Sequence, residues 1–370
     1  MKWRVPFLDL SAQNEDVAHG IVCDIQKLQK RLTFIQDEEV AFFEREFAEF
    51  CGVAHCVGVG SGTDAIELTL RACGVDVHDE VILPANTFVA TAAAVVRAGA
   101  QPILVDCDDD HLLIDVSAVT SSITERTSAV IPVHLYGQMV PSRNLLMMSE
   151  RGLLVIEDAA QAHGASYEGI SPGSLTTAAA TSFYPSKNLG GYGDGGAVLT
   201  NSEVLTERVR KLGNHGALVK YEHDIVGFTS RLDSLQAVVL RHQLRRLSER
   251  TTQRRNAAER YNNLLKGAEG VRTPIVYHGG QSAWHLYVVR VKNRQLVRSR
   301  LSDVGIETMI HYPRPIHLTP AFTHLGYRRG DFPVAERAAA EVLSLPMFPG
   351  ITVEQQEYVV DHLLRIIGSI

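Results

Sequence analysis

The sequence lacks any apolar run that approaches the roughly 18 residues of a membrane-spanning helix. Residues 1–10 carry basic side chains but few apolar ones, and Asp9 interrupts them, which is not the pattern of a signal peptide. The net charge is −6, so the chain also lacks the excess of basic residues that is typical of nucleic-acid-binding proteins. We therefore expect a cytoplasmic protein with neither a membrane nor a nucleic acid among its partners.

Cysteine is scarce, and the five cysteines form no CxxC pair. Their odd number favours reduced, mostly buried thiols in a cytosolic protein over a disulfide framework. Cys51 and Cys56 lie near His55 in the sequence, but further ligands at the spacing of a zinc site are missing. We predict no metal site.

The composition is that of an ordinary globular protein, with 45% hydrophobic and 21% charged residues. A chain of 370 residues exceeds the usual size of one domain, so we expect one large and one smaller domain. A long helical pattern runs from Leu232 to about Leu265, and the pattern of the sequence changes after it. We predict a large domain over 1–245 and a small C-terminal domain over 246–370, which includes the end of that helix.

Strand and helix patterns alternate through most of the chain. Continuous apolar strands separated by helices indicate an α/β fold, with a mainly parallel sheet covered on both faces. The predicted strands are 56–59, 80–83, 101–105, 129–135, 153–157, 178–184 and 197–200, and the predicted helices are 34–50, 65–72, 87–97, 116–123, 141–149 and 205–212. The C-terminal part has the pattern of an α+β unit, with strands at 283–291 and 307–311 and helices at 295–304, 334–343 and 353–367. In parallel sheets, ligands bind beyond the carboxyl ends of the strands.

A glycine-rich turn, Gly60-Ser61-Gly62-Thr63-Asp64, runs directly into the helical pattern of residues 65–72. The free amides and the positive dipole end of a helix N-terminus make such a turn an anion site. The hydroxyl groups of Ser61 and Thr63 would add donors. Taken alone, the turn is better explained as a helix cap, so an anion site needs support from elsewhere in the chain.

An acidic residue, Asp158, closes the apolar strand pattern of residues 153–157 and is followed by small residues. One interpretation is a turn or capping carboxylate. The other is a buried acid that must pair with a cation, such as a protonated ring nitrogen. His163 either supports the orientation of this acid or is a satisfied core histidine.

A lysine, Lys187, follows the strand pattern that ends at Tyr184, inside a glycine-rich loop that runs to Gly196. Pro185 stops the ladder of strand hydrogen bonds, and the glycines let the backbone approach a bound group closely. Enclosure disfavours the charged form of the amine, which makes it nucleophilic near neutral pH. A solvated surface lysine is the ordinary alternative for any lysine taken singly.

The turn, the acid and the lysine all follow strand ends of one predicted sheet. Together they supply a phosphate site, an acid for a ring nitrogen and an amine for an aldehyde, which are the groups that pyridoxal 5′-phosphate (PLP) requires. Phe88 would cover a face of the ring by stacking. The combination predicts PLP as the cofactor.

These and further motifs resemble those of the DegT/DnrJ/StrS-type sugar aminotransferases, which belong to the fold-type-I PLP enzymes. The matching stretches span nearly the whole chain: Gly60–Ala65, Pro84–Thr91, Pro132–Gln138, Ile156–Gly164, Ser182–Gly196, Gly227–Asp233 and Ile310–Pro313. The resemblance implies a fold-type-I PLP transferase, with a mainly parallel seven-stranded sheet in the large domain and a smaller C-terminal α+β domain. It also implies a homodimer in which both subunits build each active site.

The resemblance assigns roles to individual residues. Lys187 would bond the cofactor aldehyde, Asp158 would pair with the pyridinium nitrogen and Phe88 would stack on the ring. The other implied cofactor contacts are Gln161 near the ring oxygen, Gly62, Thr63 and Ser182 at the phosphate, and Asn188. Where the family commonly has an asparagine that reaches the phosphate from the partner subunit, this chain has Thr229, whose hydroxyl offers one donor instead of two. The implied contacts to the sugar nucleotide are Tyr184, Lys220, Tyr221, His223, Arg231 and His317.

The same resemblance implies a transaminase that takes its amino group from L-glutamate, passes through a pyridoxamine 5′-phosphate form and aminates a keto group of a nucleotide-linked sugar. The stretches around Tyr136 and Lys187 look most like members that aminate C3 of a dTDP-3-keto-6-deoxyhexose, with C4 amination as the alternative. A related dehydratase branch resembles this chain with histidine at the lysine position, so Lys187 disfavours dehydration. A non-catalytic PLP-binding regulatory protein is a second hypothesis of another class.

Overall fold

The structure, a computed structural model, describes residues 3–370 apart from the side chain of Ala12. Its centre is a seven-stranded sheet. The strands of this sheet are His55–Val59 (β1), Glu80–Pro84 (β2), Gln101–Val105 (β3), Thr127–Val130 (β4), Leu154–Asp158 (β5), Ala178–Ser182 (β6) and Gly196–Thr200 (β7). Their order across the sheet is β1-β7-β6-β5-β4-β2-β3.

The sheet is mainly parallel. The neighbours from β3 to β6 pair in parallel, whereas β7 pairs antiparallel with both β6 and β1. Every residue of β2 and of β7 is buried, as expected for strands that are covered on both faces. The predicted α/β fold with a mainly parallel seven-stranded sheet is confirmed.

Helices surround this sheet and continue into the C-terminal part. They are Ser11–Arg31 (α1), Glu38–Cys51 (α2), Gly62–Ala72 (α3), Val89–Ala98 (α4), Val116–Ser121 (α5), Ser142–Ser149 (α6), Glu203–Gly213 (α7), Ser234–Leu264 (α8), Arg294–Asp303 (α9), Pro333–Glu341 (α10) and Val353–Ile367 (α11). The sequence analysis had no helix at α1 and began α2 at residue 34. α2 begins later because Asp37 caps it, with its carboxylate accepting a hydrogen bond from the Glu39 amide at 3.1 Å. Within residues 3–370, no helix is both long and apolar enough to cross a membrane.

The C-terminal part contains a three-stranded antiparallel sheet of Val271–Arg272 (β8), Tyr287–Val291 (β9) and Val342–Leu345 (β10). Two sequence predictions were wrong here. The predicted strand at 307–311 forms only an isolated bridge between Met309 and Ser344. The predicted helix at 334–343 ends at Glu341, because the apolar segment that follows pairs with β9, with Leu345 opposite Tyr287. Sheet pairing overrides the local helical pattern at this point.

The two parts of the chain are closely joined. α8 runs unbroken across the predicted boundary at 245, so that boundary stays a prediction. Val5 pairs with Ile306 and is buried in the core of the C-terminal unit, although it belongs to the N-terminal segment. In the other direction, Ile316 and Phe332 pack into the core of the large sheet.

Candidate active site

A cavity of about 390 Å³ lies beyond the carboxyl ends of β5 and β6. Asp158, which ends β5, and Lys187, which follows β6, both line it. Phe88, at the N-terminus of α4, lines it as well. The three side chains predicted to meet one aromatic ring therefore share one cavity, and its volume is within the usual range for small-molecule sites.

Asp158 lines the cavity and is 8% exposed. Its Oδ2 accepts a hydrogen bond of 2.7 Å from the Thr91 hydroxyl, and its Oδ1 accepts one of 3.2 Å from the Ala160 amide. Thr91 is in turn 2.8 Å from the hydroxyl of Thr87. Across residues 3–370, no basic side chain forms an ion pair with this carboxylate. Because a buried carboxylate is costly without a cation, the cavity favours a cationic ligand atom beside Asp158.

Lys187 is held by a tight loop between β6 and β7. Its amide donates to the Tyr184 carbonyl at 2.8 Å. A side chain at Gly190 would place its Cβ 2.4 Å from the Pro185 carbonyl oxygen, so only glycine allows this loop to close. Burial lowers the pKa of Lys187 to about 8, and the negative charge of Asp158 partly offsets that effect.

The first turn of α3 forms one wall. Ser61 caps the helix, and its hydroxyl accepts from the Asp64 amide at 3.1 Å. A Cβ at Gly62 would lie 2.7 Å from the Ser182 Cβ, so glycine is needed for this close approach of backbone to β6. The first amides of a helix have no partner within it, and hydroxyls of Ser61, Thr63 and Ser182 surround them in the cavity lining. This arrangement suits a phosphate group.

The Asp64 carboxylate would repel an anion at this turn, but it is engaged elsewhere. Its Oδ2 accepts from the Ser230 hydroxyl at 2.8 Å, and its Oδ1 lies 3.1 Å from the guanidinium of Arg97. Its charge is thereby largely compensated beside the proposed phosphate site.

Gln161 also lines the cavity, and both the oxygen and the nitrogen of its side-chain amide are hydrogen-bonded. The side-chain oxygen accepts from the Tyr136 amide at 2.6 Å, and Nε2 donates to the Tyr312 hydroxyl at 2.9 Å. Phe88 is 49% exposed, and its ring centroid is 5.3 Å from that of Tyr312. A half-exposed phenylalanine inside a cavity offers an apolar face to a flat ligand ring. Tyr184 is also exposed at the cavity.

The structure does not bring the other predicted contacts to this cavity. Asn188 is buried, and its Nδ2 donates to the Ala283 carbonyl at 2.9 Å. His317 has no exposed side chain, lies 3.0 Å from Glu336 through Nε2 and packs its ring against Phe332. Burial in that contact keeps His317 out of the cavity lining, although the family resemblance placed it near the sugar nucleotide.

The remaining predicted residues lie on the segment 214–231. Thr229 contacts His215, with Oγ1 and Nε2 separated by 3.0 Å, and Arg231 donates to Asn214 at 2.7 Å. Lys220, Tyr221 and His223 are exposed, Tyr221 by 79%. None of these side chains contributes to the cavity of its own chain as residues 3–370 define it.

Several cavity residues were not assigned from the sequence. His285, His311 and Tyr312 come from the C-terminal unit, and Thr91 supports Asp158 from α4. The sequence does contain a signal for Thr91, because Thr87 and Thr91 lie one helical turn apart just after a strand. His285 had no such signal, because only the folding of the C-terminal unit onto the sheet brings it to the cavity.

Comparison with known proteins adds to this geometry. Residues 17–364 match the model of the DegT/DnrJ/EryC1/StrS aminotransferase family. The chain belongs to this family. The resemblance drawn from the sequence motifs is therefore confirmed.

Curated relatives cover nearly the whole chain. A protein named "Pleiotropic regulatory protein" from Geobacillus stearothermophilus is 45% identical over 97% of this chain and 97% of its own. The dTDP-3-amino-3,4,6-trideoxy-alpha-D-glucose transaminase of Streptomyces venezuelae is 43% identical over 97% and 95%. The UDP-2-acetamido-2-deoxy-3-oxo-D-glucuronate aminotransferase of Pseudomonas aeruginosa is 40% identical over 93% and 95%.

Among solved structures, the crystal structure of S. venezuelae DesV in complex with a ketimine intermediate has a TM-score of 0.96 and 42% sequence identity. Each chain covers 98% of the other. The predicted fold of this DegT/DnrJ/EryC1/StrS aminotransferase is thus confirmed, and so is the prediction of a sugar aminotransferase. The prediction of PLP as its cofactor is confirmed as well, since ntda of Bacillus subtilis, which is 30% identical with a TM-score of 0.91, was solved with bound cofactor PMP.

The cavity of this family member fits that cofactor. The amine of Lys187 has a lowered pKa, and the carboxylate of Asp158 is buried and forms no ion pair within residues 3–370. The N-terminus of α3 packs closely against β6, which requires glycine at position 62. These groups match the aldehyde, the ring nitrogen and the phosphate of PLP.

The lowered pKa of Lys187 predicts a distinct pH dependence for labelling by a limiting amine-acylating reagent. Only the neutral amine reacts, so in the cofactor-free protein the rate at Lys187 should rise with pH and level off about one unit above 8. An ordinary exposed lysine keeps gaining reactivity up to about pH 10.4. Peptide mapping between pH 6 and 10 measures this, with the exposed Lys292 as internal reference. Parallel profiles for the two lysines would contradict the prediction.

Proposed function

We propose that the protein transfers the amino group of L-glutamate to the C3 keto group of a dTDP-linked keto-deoxyhexose, which gives an amino sugar. The observation that carries this proposal is that Lys187, Asp158 and Phe88 line one cavity. The name of the S. venezuelae relative, a dTDP-3-amino sugar transaminase, supports the choice of carbon and nucleotide. We also propose a cytoplasmic location, which is supported by five cysteines that are all free thiols.

Bound PLP would supply an aldehyde carbon that receives the amino group and a ring that stores the electron pair of a broken C–H bond. Lys187 would bind the cofactor through Nζ and, once displaced, would take a proton from the substrate carbon and deliver it to the cofactor carbon that carries the amino group. A pKa of about 8 suits both directions, because a base works best when its pKa is near the operating pH. Asp158 would hold a proton on the ring nitrogen, with Thr91 and Ala160 fixing the orientation of its carboxylate.

Other residues would bind and orient. Gly62, Thr63 and Ser182 would hold the phosphate at the first turn of α3, and Phe88 would cover one face of the ring. Gln161, whose amide is fixed on both sides, would contact the ring oxygen. Tyr184, exposed at the cavity, is the proposed contact to the sugar from the same chain.

Two points of substrate specificity have alternatives. The P. aeruginosa relative is named for a 3-oxo sugar linked to UDP, which supports C3 but leaves UDP as a second nucleotide. Amination at C4 is the alternative regiochemistry. A regulatory protein that binds PLP without turnover is the second candidate function, and the name of the G. stearothermophilus relative favours it.

One experiment separates these candidates. The PLP-loaded protein is mixed with L-glutamate, and the cofactor absorbance and 2-oxoglutarate are measured. We expect conversion of the cofactor with one equivalent of 2-oxoglutarate per site; an unchanged spectrum would favour the regulatory protein. The converted protein is then given 3-keto and 4-keto sugars on dTDP and on UDP, and NMR identifies the aminated carbon. Amination at C4 alone, or of UDP sugars alone, would refute the corresponding part of the proposal.

We further propose a homodimer in which the segment 214–231 of one subunit completes the active site of the other. Thr229, Lys220, Tyr221, His223 and Arg231 all lie on this segment. Its exposed apolar side chains, with Val226 94% exposed, support burial against a second copy. In that arrangement Thr229 would reach the partner's cofactor phosphate with a single hydroxyl donor.

Mixed dimers test this arrangement. Lys187→Ala removes the amine from its own site, whereas Thr229→Glu would place a negative charge at the phosphate of the partner's site. Each variant alone should be nearly inactive, but unfolding and refolding them together should restore about a quarter of wild-type activity, because half of the dimers then hold one intact site.

The matched control mixes Lys187→Ala with Asp158→Ala. Both changes damage the site of their own chain, so no mixed dimer is intact and no activity should return. Equal recovery in the two mixtures, or full activity of Thr229→Glu alone, would contradict a contribution from the partner subunit.

A further inference from the structure

Ser230, near the end of segment 214–231, is hydrogen-bonded to both ends of the glycine-rich turn that leads into α3. The residue is 5% exposed, and its hydroxyl accepts a hydrogen bond from the Gly60 amide at 3.0 Å. The same hydroxyl donates to Oδ2 of Asp64 at 2.8 Å. A serine hydroxyl can donate and accept at once, so both bonds form together. One buried hydroxyl therefore closes the turn proposed to hold the cofactor phosphate.

A second contact joins the segment to α3 at the other end of the helix. The guanidinium carbon of Arg71, in the last turn of α3, lies 5.0 Å from the centre of the Phe228 ring. Nε of Arg71 is 3.0 Å from Glu67, whose other oxygen is 2.7 Å from Nε of Arg97. Arg97 also pairs with Asp64. A continuous set of side-chain contacts thus runs along α3 from its first turn to Phe228.

Thr229 lies between these two anchored residues. The backbone on both sides of it is also bonded to the end of α7. The Phe228 amide donates to the Leu212 carbonyl at 2.6 Å, and the Ser230 amide donates to the Gly213 carbonyl at 2.9 Å. The place of Thr229 is therefore set by the contacts that its two neighbours make with α3 and α7.

We propose that Ser230 is a positioning residue that links the phosphate turn of its own chain to Thr229. Through this link, α3 sets two kinds of phosphate contact: those of its own turn, and the Thr229 contact in the partner's site. The second contact rests on the homodimer proposed above.

Loss of the Ser230 hydroxyl would act on the two sites by different routes. In its own site, the Gly60 amide would lose its acceptor and the Asp64 carboxylate would lose a donor, which leaves more negative charge beside the phosphate. In the partner's site, Thr229 would be held less firmly, so ordering its hydroxyl at the phosphate would cost more conformational entropy.

The first test compares PLP with pyridoxal, which has the same ring and aldehyde but no phosphate. Binding to the cofactor-free protein is followed by the absorbance of the ligand bonded to Lys187. In Ser230→Ala we expect the Kd of PLP to rise roughly thirtyfold and that of pyridoxal to stay within about twofold. Equal losses for the two ligands would indicate a merely structural serine and would overturn the proposal.

Ser234→Ala is the matched control. Ser234 is the first residue of α8 and is fully buried, and within residues 3–370 its hydroxyl has no hydrogen-bond partner. Its Kd for PLP should stay within about twofold of the wild type, because no hydrogen bond is lost. Circular dichroism checks the fold of both variants. If Ser234→Ala weakened PLP as much as Ser230→Ala does, the proposal would fail.

Mixed dimers with two affinity tags separate the two routes. One chain carries Lys187→Ala, so the absorbance reports only the site of the other chain. Ser230→Ala on the reporting chain alters the turn of that site and should raise the Kd of PLP about tenfold. Ser230→Ala on the other chain alters only the segment that reaches the site and should raise the Kd about threefold. A loss in the first dimer alone would overturn the link to Thr229.

Asp64→Ala breaks the same link from the side of α3, which keeps the proposal testable if Ser230→Ala does not fold. Placed on the chain without Lys187, it leaves the turn of the reporting site intact. It should raise the Kd of PLP there about threefold, as Ser230→Ala does. An unchanged Kd would refute the link.

Thr229→Ala on the chain without Lys187 distinguishes a failure of this proposal from a failure of the proposed homodimer. If Thr229→Ala weakens PLP in the partner's site and Ser230→Ala does not, the subunit arrangement stands and the link is refuted. If neither has an effect there, the arrangement fails and the link fails with it. With Thr229→Ala present, Ser230→Ala on the same chain should cost nothing further in the partner's site. These measurements use no glutamate, so a lack of transamination would refute the proposed function without deciding the role of Ser230.

Discussion

Lys187→Ala should lower the rate of transamination by roughly four orders of magnitude, or about 5 kcal/mol. The substitution removes the amine that we propose binds the cofactor and moves the proton between carbons. The loop should still close, because its contacts are backbone hydrogen bonds and glycine approaches that do not involve the lysine side chain. The rate is measured with L-glutamate and the keto sugar identified above, and circular dichroism checks the fold.

The matched control is Lys292→Ala, which changes an exposed lysine outside the cavity lining and should keep full activity. A small primary amine added to Lys187→Ala should restore part of the rate, since it can enter the space that the side chain leaves and accept the proton. If Lys187→Ala retained more than about a tenth of the wild-type rate, Lys187 would not be the base.

Asp158→Ala is expected to cost about 4 kcal/mol of transition-state stabilisation, or about three orders of magnitude in kcat. A negative charge beside the ring nitrogen stabilises the protonated ring, and the protonated ring is the better store for the electron pair of the broken C–H bond. Asp158→Asn should lose nearly as much, because it keeps the shape but not the charge. The readouts are kcat and the absorbance of the bound cofactor as a function of pH.

Two companion variants sharpen this prediction. Thr91→Val removes the 2.7 Å hydrogen bond to Oδ2 and should cost only about 1 kcal/mol, since the charge remains and only its orientation loosens. Asp361→Ala removes an exposed carboxylate on α11 that pairs with Arg365 at 3.4 Å, and it should have no effect. A wild-type rate in Asp158→Asn would show that the charge of Asp158 is not used.

The fold was predictable where one local pattern dominates. The strands that line the cavity were found within a few residues because their apolar runs are continuous, and both ends of α8 were predicted to within two residues. The missed helix α1 and the early start of α2 are errors of the N-terminal part, and the others lie in the C-terminal unit. There, Val342–Leu345 has a helical neighbourhood in sequence, yet it pairs with β9 about fifty residues away. A prediction from local sequence cannot identify a pairing strand that lies so far away in the chain.

The site divides in the same way. The first turn of α3, Asp158 and Lys187 were found because each is a short pattern at a strand end, and parallel strands bring their carboxyl ends to one edge of the sheet. His317 was placed at the substrate from motif position alone, but its Nε2 meets Glu336 and its ring is fully buried. The residues of segment 214–231 remain predictions that need a second subunit to be tested.

The amino-acid sequence by itself was enough to predict the cofactor and to place a glycine-rich turn, an acid and a lysine at the ends of neighbouring strands, because these residues at strand ends have few other chemical uses in combination. Only the tertiary structure decided how those residues are supported: Thr91 bonds Asp158 across 67 residues of chain, and Ser230 bonds Asp64 across 166. The physical reason is that a hydrogen bond of this kind depends on where packing brings two distant segments. No periodicity in the sequence records that.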